Sequence, residues 1–283
     1  MSADLHLHTN QSDGQYTHQE LCQLLHDADA DSVFSVADHH TFTLMNEMVD
    51  AHGHRWIPGI EISASIDDRA IHLLGYSLSP RPTAELRTWL QRIVAGYQKR
   101  STAIHAKIVA AGFSMPPLEE LRPVTLPLPI YNYDLASALA SSLQLSYPRE
   151  ALKYAKEHGD LFFVDEGGFL PEVSDMIRMM NESNLLVVFA HPGTRYLLDD
   201  SAESTTTFLS MISTMTDAGL GGLEVYYPQH SDIQKERFLT VAREWNLIPT
   251  GGSDFHGPGR GISNPSQELP DTQLQRLLQA LPR

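Results

Sequence analysis

The sequence has 283 residues, of which 42% are hydrophobic, and its formal net charge is −15. This composition is ordinary for a globular protein with a sizeable core, and so acidic a chain is not a general electrostatic binder of nucleic acid. The single cysteine excludes an intrachain disulfide, and neither a signal peptide nor a membrane-length apolar run is recognisable. We therefore expect a cytoplasmic protein that binds neither duplex nucleic acid nor a membrane, with its oligomeric state left open.

The first third of the chain alternates strand-like and helical patterns. "ADLHLH" (3–8) is typical of a strand, and leucines at helical spacing follow over 17–30. A second strand is predicted over 32–40 and a short helix over Leu44–Ala51. Two further strands are predicted over 56–65 and 70–78.

The last third continues the alternation. Strands are predicted over 185–193, 221–228 and 247–254, with helices over 203–218 and 231–245 between them. Strands that alternate with helices predict βα units and therefore a parallel sheet or barrel.

The middle of the chain interrupts this rhythm. The pattern over 80–180 is helical, with an irregular Pro-rich stretch over 114–134 and short helices predicted over 133–145 and 147–159. We interpret 81–165 as an inserted helical lid and assign 1–80 and 166–283 to the barrel. The alternative is that these helices belong to the outer ring of the barrel. The first helix carries one apolar stripe, formed by Leu86, Leu90, Ile93, Tyr97, Ile104 and Ile108.

His6 and His8 stand one residue apart in the first strand, so both side chains point to the same face of the sheet. Such a pair alone indicates a solvent-exposed polar face more often than a metal site. Similar residue types, however, recur at or near the ends of the other predicted strands. The full set is His6, His8, Asp13, His39, Glu61, His72, His191, Asp254 and His256.

The carboxyl ends of all strands meet on one face of a parallel α/β barrel, so these nine side chains are expected to converge. Carboxylates and imidazoles gathered in one cleft need a cation to compensate them. At about three protein ligands for each catalytic metal, the set predicts two to three divalent ions. Imidazole and carboxylate ligands without thiolate suit Mn, Fe or Zn, and Glu61 is the expected bridging carboxylate.

The segments "DLHLHTNQSDG", "VADHH", "GIEIS", "HLLGY", "AHPG" and "GGSDFHG" resemble, in order and spacing, the motifs of the PHP (polymerase and histidinol phosphatase) family, and in particular its stand-alone TrpH-type phosphoesterases. The resemblance covers almost the whole chain. It implies a distorted (β/α)7 barrel with three metals and an inserted helical subdomain. It also implies hydrolysis of phosphate esters, with nucleoside 3′,5′-bisphosphates and short oligonucleotides as expected small phosphorylated substrates.

The residues agree with this chemistry, because clustered divalent cations generate hydroxide from bound water and clamp phosphoryl oxygens. Metal-activated water is therefore the expected nucleophile, and His256 is expected at the catalytic centre. Asp38 is expected to orient His39. Arg195 and Arg260 are candidates for binding phosphate, although Arg260 lies in a "GPGRG" segment that is equally compatible with a plain turn.

One segment departs from the family pattern. Relatives carry Arg-Pro-His-Ile-Ala at the start of a lid helix, where this chain has "NYDLASAL", so Asn132 replaces the arginine and Asp134 the histidine. Asp134 is expected either to bind a metal or to be hydrogen-bonded away from the phosphate. Loss of the arginine is expected to weaken phosphate capture.

Two alternatives to a phosphoesterase remain. A metal-dependent amidohydrolase uses a similar barrel, but its carbamylated lysine has no counterpart here, since no lysine stands at these strand ends. A non-catalytic metal-binding PHP module is the other alternative. The complete set of ligand-type residues argues against it.

Overall fold

The computed structural model describes residues 3–121, 129–164, 168–195, 202–258, 265 and 269–283. Within these ranges, none of the helices has the length and apolar character needed to cross a bilayer.

The described strands form one curled mixed sheet. Its order is β1-β2-β4-β5-β6-β7-β8, and β3 pairs only with β4. The segment that follows β8 continues the curl, because Asp254 N donates to His6 O and His8 N donates to Phe255 O. The strands are β1 Ala3–Leu7, β2 Val33–Val36, β3 Met48–Val49, β4 Arg55–Ile66, β5 Arg69–Tyr76, β6 Leu186–Phe189, β7 Gly222–Tyr226 and β8 Ile248–Gly251.

The βα alternation predicted a parallel sheet, but the observed sheet is mixed. Neighbours β1/β2, β2/β4, β6/β7 and β7/β8 are parallel, but β4 and β5 form an antiparallel hairpin and β6 is antiparallel to β5. The reason is local: only Asp67 and Asp68, both with positive φ, separate β4 from β5. A connection this short permits only an antiparallel return.

The described helices surround the sheet and form the middle of the chain. The long predicted helix is one continuous element, α2, with Thr83 as its N-cap. The helices are α1 His18–Leu24, α2 Ala84–Ala110, α3 Asn132–Ser142, α4 Pro148–Glu157, α5 Val173–Glu182, α6 Pro192–Arg195, α7 Ala202–Asp217, α8 Asp232–Glu244 and α9 Asp271–Ala280. A 3₁₀ turn at Leu118–Glu120 lies between α2 and α3.

The short helix predicted over Leu44–Ala51 is wrong. That segment contains the two-residue strand β3, in which Met48 pairs with Trp56 and Val49 with Arg55. Both β3 side chains are exposed, so Met48 and Val49 form a short edge strand and not a buried element.

Helix α2 contributes to two separate apolar clusters. Its first half packs through Leu86, Leu90 and Ile93 against the sheet and α5. Its second half packs through Ile104 and Ile108 into a cluster shared with α3 and α4. The described residues of 81–165 thus combine a helix anchored on the sheet with a small core of their own. The domain boundaries stay a prediction.

Candidate metal centre

The nine side chains expected to converge lie around one end of the curled sheet. His6 belongs to β1, and His8 and Asp13 follow it. His39 follows β2, Glu61 lies within β4, and His72 within β5. His191 follows β6, and Asp254 and His256 follow β8. Gly252 permits the close approach of β1 and this last segment, because a Cβ there would stand 2.3 Å from the Cβ of His6.

The expectation that every ligand stands at a strand's carboxyl end is wrong for His72. Because β5 runs antiparallel to β4, the centre lies towards the start of β5, and His72 is directly opposite Ser63 of β4. Glu61 likewise lies in the middle of its twelve-residue strand. The long hairpin therefore places the side chains of Glu61 and His72 beside the ends of the parallel strands.

Three groups of ligand-type side chains occur in the described part of the chain. In each group the ligand atoms lie within 4.8 Å of one another. The groups are His8, Asp13, His39 and His256; His6, His8, Glu61 and Asp254; and His39, Glu61 and His72. They share members, so they form one continuous cluster.

Glu61 occupies the middle of this cluster and is fully buried. Its Oε2 lies 3.3 Å from Nε2 of His6, 3.3 Å from Nε2 of His8 and 3.1 Å from Nδ1 of His39. Its Oε1 lies 2.8 Å from Nδ1 of His72 and 3.0 Å from Nε2 of His191. His191 thus borders the cluster, although it belongs to none of the three groups. A carboxylate whose two oxygens face different histidines has the geometry of a bridging ligand.

Several buried atoms of the cluster support a cation at its centre. Among the described residues, Nε2 of His6, Nε2 of His8 and Oε2 of Glu61 make no hydrogen bond although they are inaccessible to solvent. Such orphaned groups are costly unless a cation engages them. Because the donors are imidazoles and carboxylates without thiolate, they fit Mn, Fe or Zn.

Hydrogen bonds outside the cluster orient the first two histidines. Nδ1 of His6 lies 3.0 Å from Oε1 of Glu224, and Nδ1 of His8 lies 3.4 Å from Oγ of Ser12. Ser12 in turn donates to Asp38. With Nδ1–H donating outward in both rings, each Nε2 faces the cluster as a free ligand atom.

Asp38 has a different role from the one expected. Instead of contacting the ring of His39, its carboxylate receives hydrogen bonds from the loop after β1 and from the loop after β2. The donors are Thr9 N, Thr9 Oγ1, Ser12 Oγ and Thr43 Oγ1. Asp38 therefore fixes the loop that carries Asp13 and, through Ser12, supports His8.

The metal-free cluster is strongly polarised. Burial alone lowers the pKa of His6, but Glu224, Glu61 and Asp254 together raise it well above its usual value. Burial also opposes the charged form of His8, yet the adjacent carboxylates of Asp254 and Glu61 raise its pKa to about 10. Without metal, protons on these rings compensate the carboxylates.

The pKa values of two other members of the cluster, His39 and Asp13, are lowered. Burial lowers the pKa of His39 to about 3, so that ring is neutral and able to bind a metal. Burial raises the pKa of Asp13, but His256 and His39 outweigh it and lower the pKa well below its usual value. Nδ1 of His256 donates to Asp254 O at 2.8 Å, which leaves Nε2 of His256 directed at Asp13, 3.1 Å away.

Asp134 lies outside the three groups of the described chain. Its Oδ2 accepts the backbone N–H of Tyr131 at 2.9 Å, so the carboxylate caps the start of α3. The metal-binding role considered for Asp134 stays a prediction, since this bond involves only one of its two carboxylate oxygens. Of the two candidate phosphate ligands, Arg195 ends α6 but its side chain lies outside the described residues, as does the whole of Arg260.

A cavity of about 350 Å³ opens beside the cluster. Asp13, His39 and His72 form its inner wall, and Arg100 of α2 and Tyr131 before α3 line the lid side. Sequence reasoning missed Arg100. The available signal was its position three residues after Tyr97, on the same face of α2 as the apolar stripe.

The sequence pattern does not single out Glu224 either, because "GGLEVYYP" predicts only a strand. A single acidic residue within an otherwise apolar strand was the available signal, because a buried carboxylate needs partners.

Comparisons with known proteins find relatives that act on phosphate esters. No family model matches the chain. A phosphoribosyl 1,2-cyclic phosphate 1,2-diphosphodiesterase from Eggerthella lenta is 29% identical over 91% of this chain and 95% of its own. A 3′,5′-nucleoside bisphosphate phosphatase from Chromobacterium violaceum is 28% identical over 91% of this chain and 88% of its own.

The fold is likewise shared with solved structures. The structure of an amidohydrolase from Chromobacterium violaceum, with bound sulfate and no metal, superposes with a TM-score of 0.80 and 24% identity. The match covers 99% of this chain and 96% of the other. At this identity the likeness concerns the fold, and it confirms the PHP-like barrel expected from the sequence.

The fold, the clustered ligands and the relatives together define a metal-dependent phosphoesterase, a hydrolase of phosphoric ester bonds. Within that class the chain is a homologue of the PHP-family phosphoesterases, as the motif resemblance predicts.

Proposed function

We propose that this protein hydrolyses phosphate monoesters of small nucleotides, such as nucleoside 3′,5′-bisphosphates or short oligonucleotides. The cavity beside the clustered histidines carries the proposal, because it joins three features in one space: ligand-type side chains, a guanidinium and aromatic rings. Its volume of about 350 Å³ lies at the lower end of the range for small-molecule sites and suits a single nucleotide rather than a duplex.

We further propose that two to three divalent ions, Mn, Fe or Zn, occupy the cluster. When bound, such ions lower the pKa of water and neutralise phosphoryl oxygens. The proposed ligands are His6, His8, Asp13, His39, Glu61, His72, His191, Asp254 and His256.

Arg100 is the proposed phosphate ligand from the lid. Its Nη1 donates to Asn132 Oδ1 at 2.8 Å and its Nη2 to Phe162 O at 3.3 Å, so the guanidinium is held in place before substrate arrives. A planar guanidinium offers five N–H donors and uses only part of them in these two bonds. The remaining donors are available to a phosphate that lies between Arg100 and the cluster.

Aromatic side chains supply a surface for the rest of the substrate. Tyr97, Tyr131, Tyr133 and Phe169 line the same cavity as Arg100. The rings of Tyr97 and Phe169 meet edge to face with centroids 5.2 Å apart, and Tyr131 lies 5.9 Å from Tyr97. Stacking on such rings is tolerant of base identity and contributes about 1–3 kcal/mol per base.

A phosphate-release panel tests the proposal. Mn-loaded protein is incubated with adenosine 3′,5′-bisphosphate, with AMP and with glycerol phosphate, which offers a phosphate but no ring. We expect the bisphosphate to have a kcat/KM at least about 10-fold above glycerol phosphate, the equivalent of about 1.4 kcal/mol of base contact. Equal values for both would contradict the nucleotide assignment while leaving the phosphoesterase intact.

A second candidate substrate is a cyclic phosphodiester of a phosphorylated sugar. The observation that favours it is the Eggerthella lenta relative, a diphosphodiesterase of such a substrate that aligns over 95% of its length. Phosphoribosyl 1,2-cyclic phosphate, added to the panel with the ring-opened monoester measured alongside free phosphate, distinguishes the two candidates, because hydrolysis of one ester bond opens the ring without releasing phosphate. Amide or lactone hydrolysis without phosphate release would support an amidohydrolase instead, and metal binding without any turnover a non-catalytic module.

A further inference from the structure

Glu224 is a carboxylate that contacts two proposed metal ligands without belonging to the described metal-binding groups. It lies in β7, its side chain is fully buried, and it projects towards the end of the sheet where the cluster lies. Its Oε1 lies 3.0 Å from Nδ1 of His6, and its Oε2 accepts the backbone N–H of His191 at 2.6 Å. One side chain thereby links β1 to the loop after β6.

The first of these bonds determines which nitrogen of His6 faces the cluster. A carboxylate accepts hydrogen bonds, so the proton of a neutral His6 ring resides on Nδ1. Nε2 is then unprotonated and carries a lone pair. It lies 3.3 Å from Oε2 of Glu61 and 3.5 Å from Oδ1 of Asp254. Without this acceptor, either nitrogen of the ring could carry the proton.

The second bond holds a strained backbone. His191 has a φ of +30°, a conformation that costs a residue with a side chain about 1–3 kcal/mol and persists only where neighbours impose it. Glu224 engages the amide of His191 itself. His230 and Gln234 hold the next turn, by accepting Gly193 N–H and by donating to Gly193 O. The His191 ring is thereby directed at Oε1 of Glu61.

We infer that Glu224 is a positioning residue of the metal centre: it fixes the Nδ1–H tautomer of His6 and the backbone of His191, so that both rings face Glu61. The inference rests on the proposed metal centre. Outer carboxylates of this kind typically change metal affinity by about 10- to 100-fold when removed.

Glu224→Gln distinguishes this role from simple packing, because it keeps the volume and changes only the hydrogen-bonding pattern. The glutamine amide has one oxygen, whereas two donors face position 224. A backbone N–H has no alternative tautomer, so we expect the oxygen to bond to His191 N. The NH₂ group then donates to Nδ1 of His6, which transfers the ring proton to Nε2 and blocks the ligand atom.

Thr250→Val is the matched control. Thr250 pairs with Glu224 in the register of β7 and β8, is equally buried, and its Oγ1 makes no hydrogen bond to a described residue. The exchange removes a polar atom from the same layer of the sheet without removing a hydrogen bond to His6 or His191. Circular dichroism and thermal unfolding establish that each variant is folded.

Zinc is the probe, and two readouts are used. Competition with a chelating dye measures zinc affinity, and we expect Glu224→Gln to weaken at least one site by about 10- to 100-fold while Thr250→Val stays within about 2-fold of wild type. Nitrogen-15 NMR of zinc-loaded, histidine-labelled wild type reports the His6 ring directly. We expect zinc on Nε2 and a slowly exchanging proton on Nδ1, lost in His6→Gln.

These measurements test the metal centre and the role of Glu224 separately. A wild type that binds no zinc would overturn the proposed metal centre and the inference with it. A wild type that binds zinc through Nδ1 of His6, with the proton on Nε2, would overturn the role of Glu224 alone, and this measurement needs no variant. Folded Glu224→Gln with unchanged zinc affinity and an unchanged His6 spectrum would also overturn the role of Glu224 alone.

Discussion

Arg100 Nη1 donates a hydrogen bond to Asn132 Oδ1 at 2.8 Å, joining α2 to the start of α3 at the cavity beside the cluster of ligand-type side chains. Asn132 stands where the family resemblance leads one to expect arginine. The guanidinium expected at position 132 is therefore absent. The Asn132 amide there orients the guanidinium of Arg100, which comes from α2. Phosphate capture in this chain is assigned to Arg100 on that ground.

Replacement of Arg100 by methionine tests this assignment. The exchange preserves the aliphatic stem and removes the charge, so substrate binding is expected to weaken more than chemistry. A charge-assisted hydrogen bond contributes about 1.5–3 kcal/mol, which predicts a rise in KM of about 10- to 100-fold. Arg87→Met, on an exposed position of the same helix, is the control. Kinetics of Arg100→Met indistinguishable from this control would refute the assignment.

Glu61→Gln is expected to disrupt more than one metal at once. The carboxylate belongs to two of the three described groups and faces five histidines, and an amide has only one oxygen to offer. Elemental analysis should show the loss of at least one metal equivalent, and turnover should fall by more than about 100-fold. Glu236→Gln, exposed on α8, should retain both. Full metal content in Glu61→Gln would exclude a bridging role.

The metal-free protein should lose stability as the pH rises from 6.5 to 9. The carboxylates of Asp254 and Glu61 overcome burial and raise the pKa of His8 to about 10, and Glu224, Glu61 and Asp254 raise the pKa of His6 as well. The folded state thus holds protons in this interval that the unfolded state releases near pH 6.5, and the stabilisation they provide is lost as the pH approaches 10.

Urea unfolding of chelator-treated protein at several pH values measures this loss. We expect the midpoint to fall steadily between pH 6.5 and 9, and to fall less for the metal-loaded protein, in which cations replace those protons. A metal-free midpoint that rises over the same interval would show that His6 and His8 are neutral in the folded cluster.

Gly252→Ala should damage the centre through the backbone alone. A Cβ at this position would lie 2.3 Å from the Cβ of His6 and 2.5 Å from its backbone N, so β1 must move. We expect a loss of about 1–3 kcal/mol of stability together with reduced metal content. Gly168→Ala, whose added Cβ meets nothing within 4 Å, is the control. Native metal content in folded Gly252→Ala would show that His6 tolerates this shift.

Much of the site was predictable because its ligands are encoded locally. His6 and His8 alternate in a strand, and the other ligand types recur beside apolar runs, so a barrel that gathers strand ends gathers them too. The position of His72 was harder to predict from the sequence. It depends on the direction of β5, which is determined by the two-residue connection at Asp67 and Asp68 rather than by the apolar pattern of the strand.

The supporting residues were hidden for a different reason. Glu224 and Asp38 act through partners that lie 218 and 29 residues away in sequence, His6 and Thr9, and no spacing rule links them. Asp134 was considered as a ligand because it stands where relatives carry a histidine. The alignment gave no sign of its local role as the acceptor of the Tyr131 N–H.

Reconstitution of the chelated protein tests the central claim most directly. Protein stripped of metal is titrated with Mn²⁺ while phosphate release from adenosine 3′,5′-bisphosphate and bound metal are measured on the same samples. We predict no turnover in the stripped protein and activity that rises with metal occupancy until about two to three ions are bound, given about three protein ligands for each. Full phosphate release by protein shown to contain no metal would contradict the account.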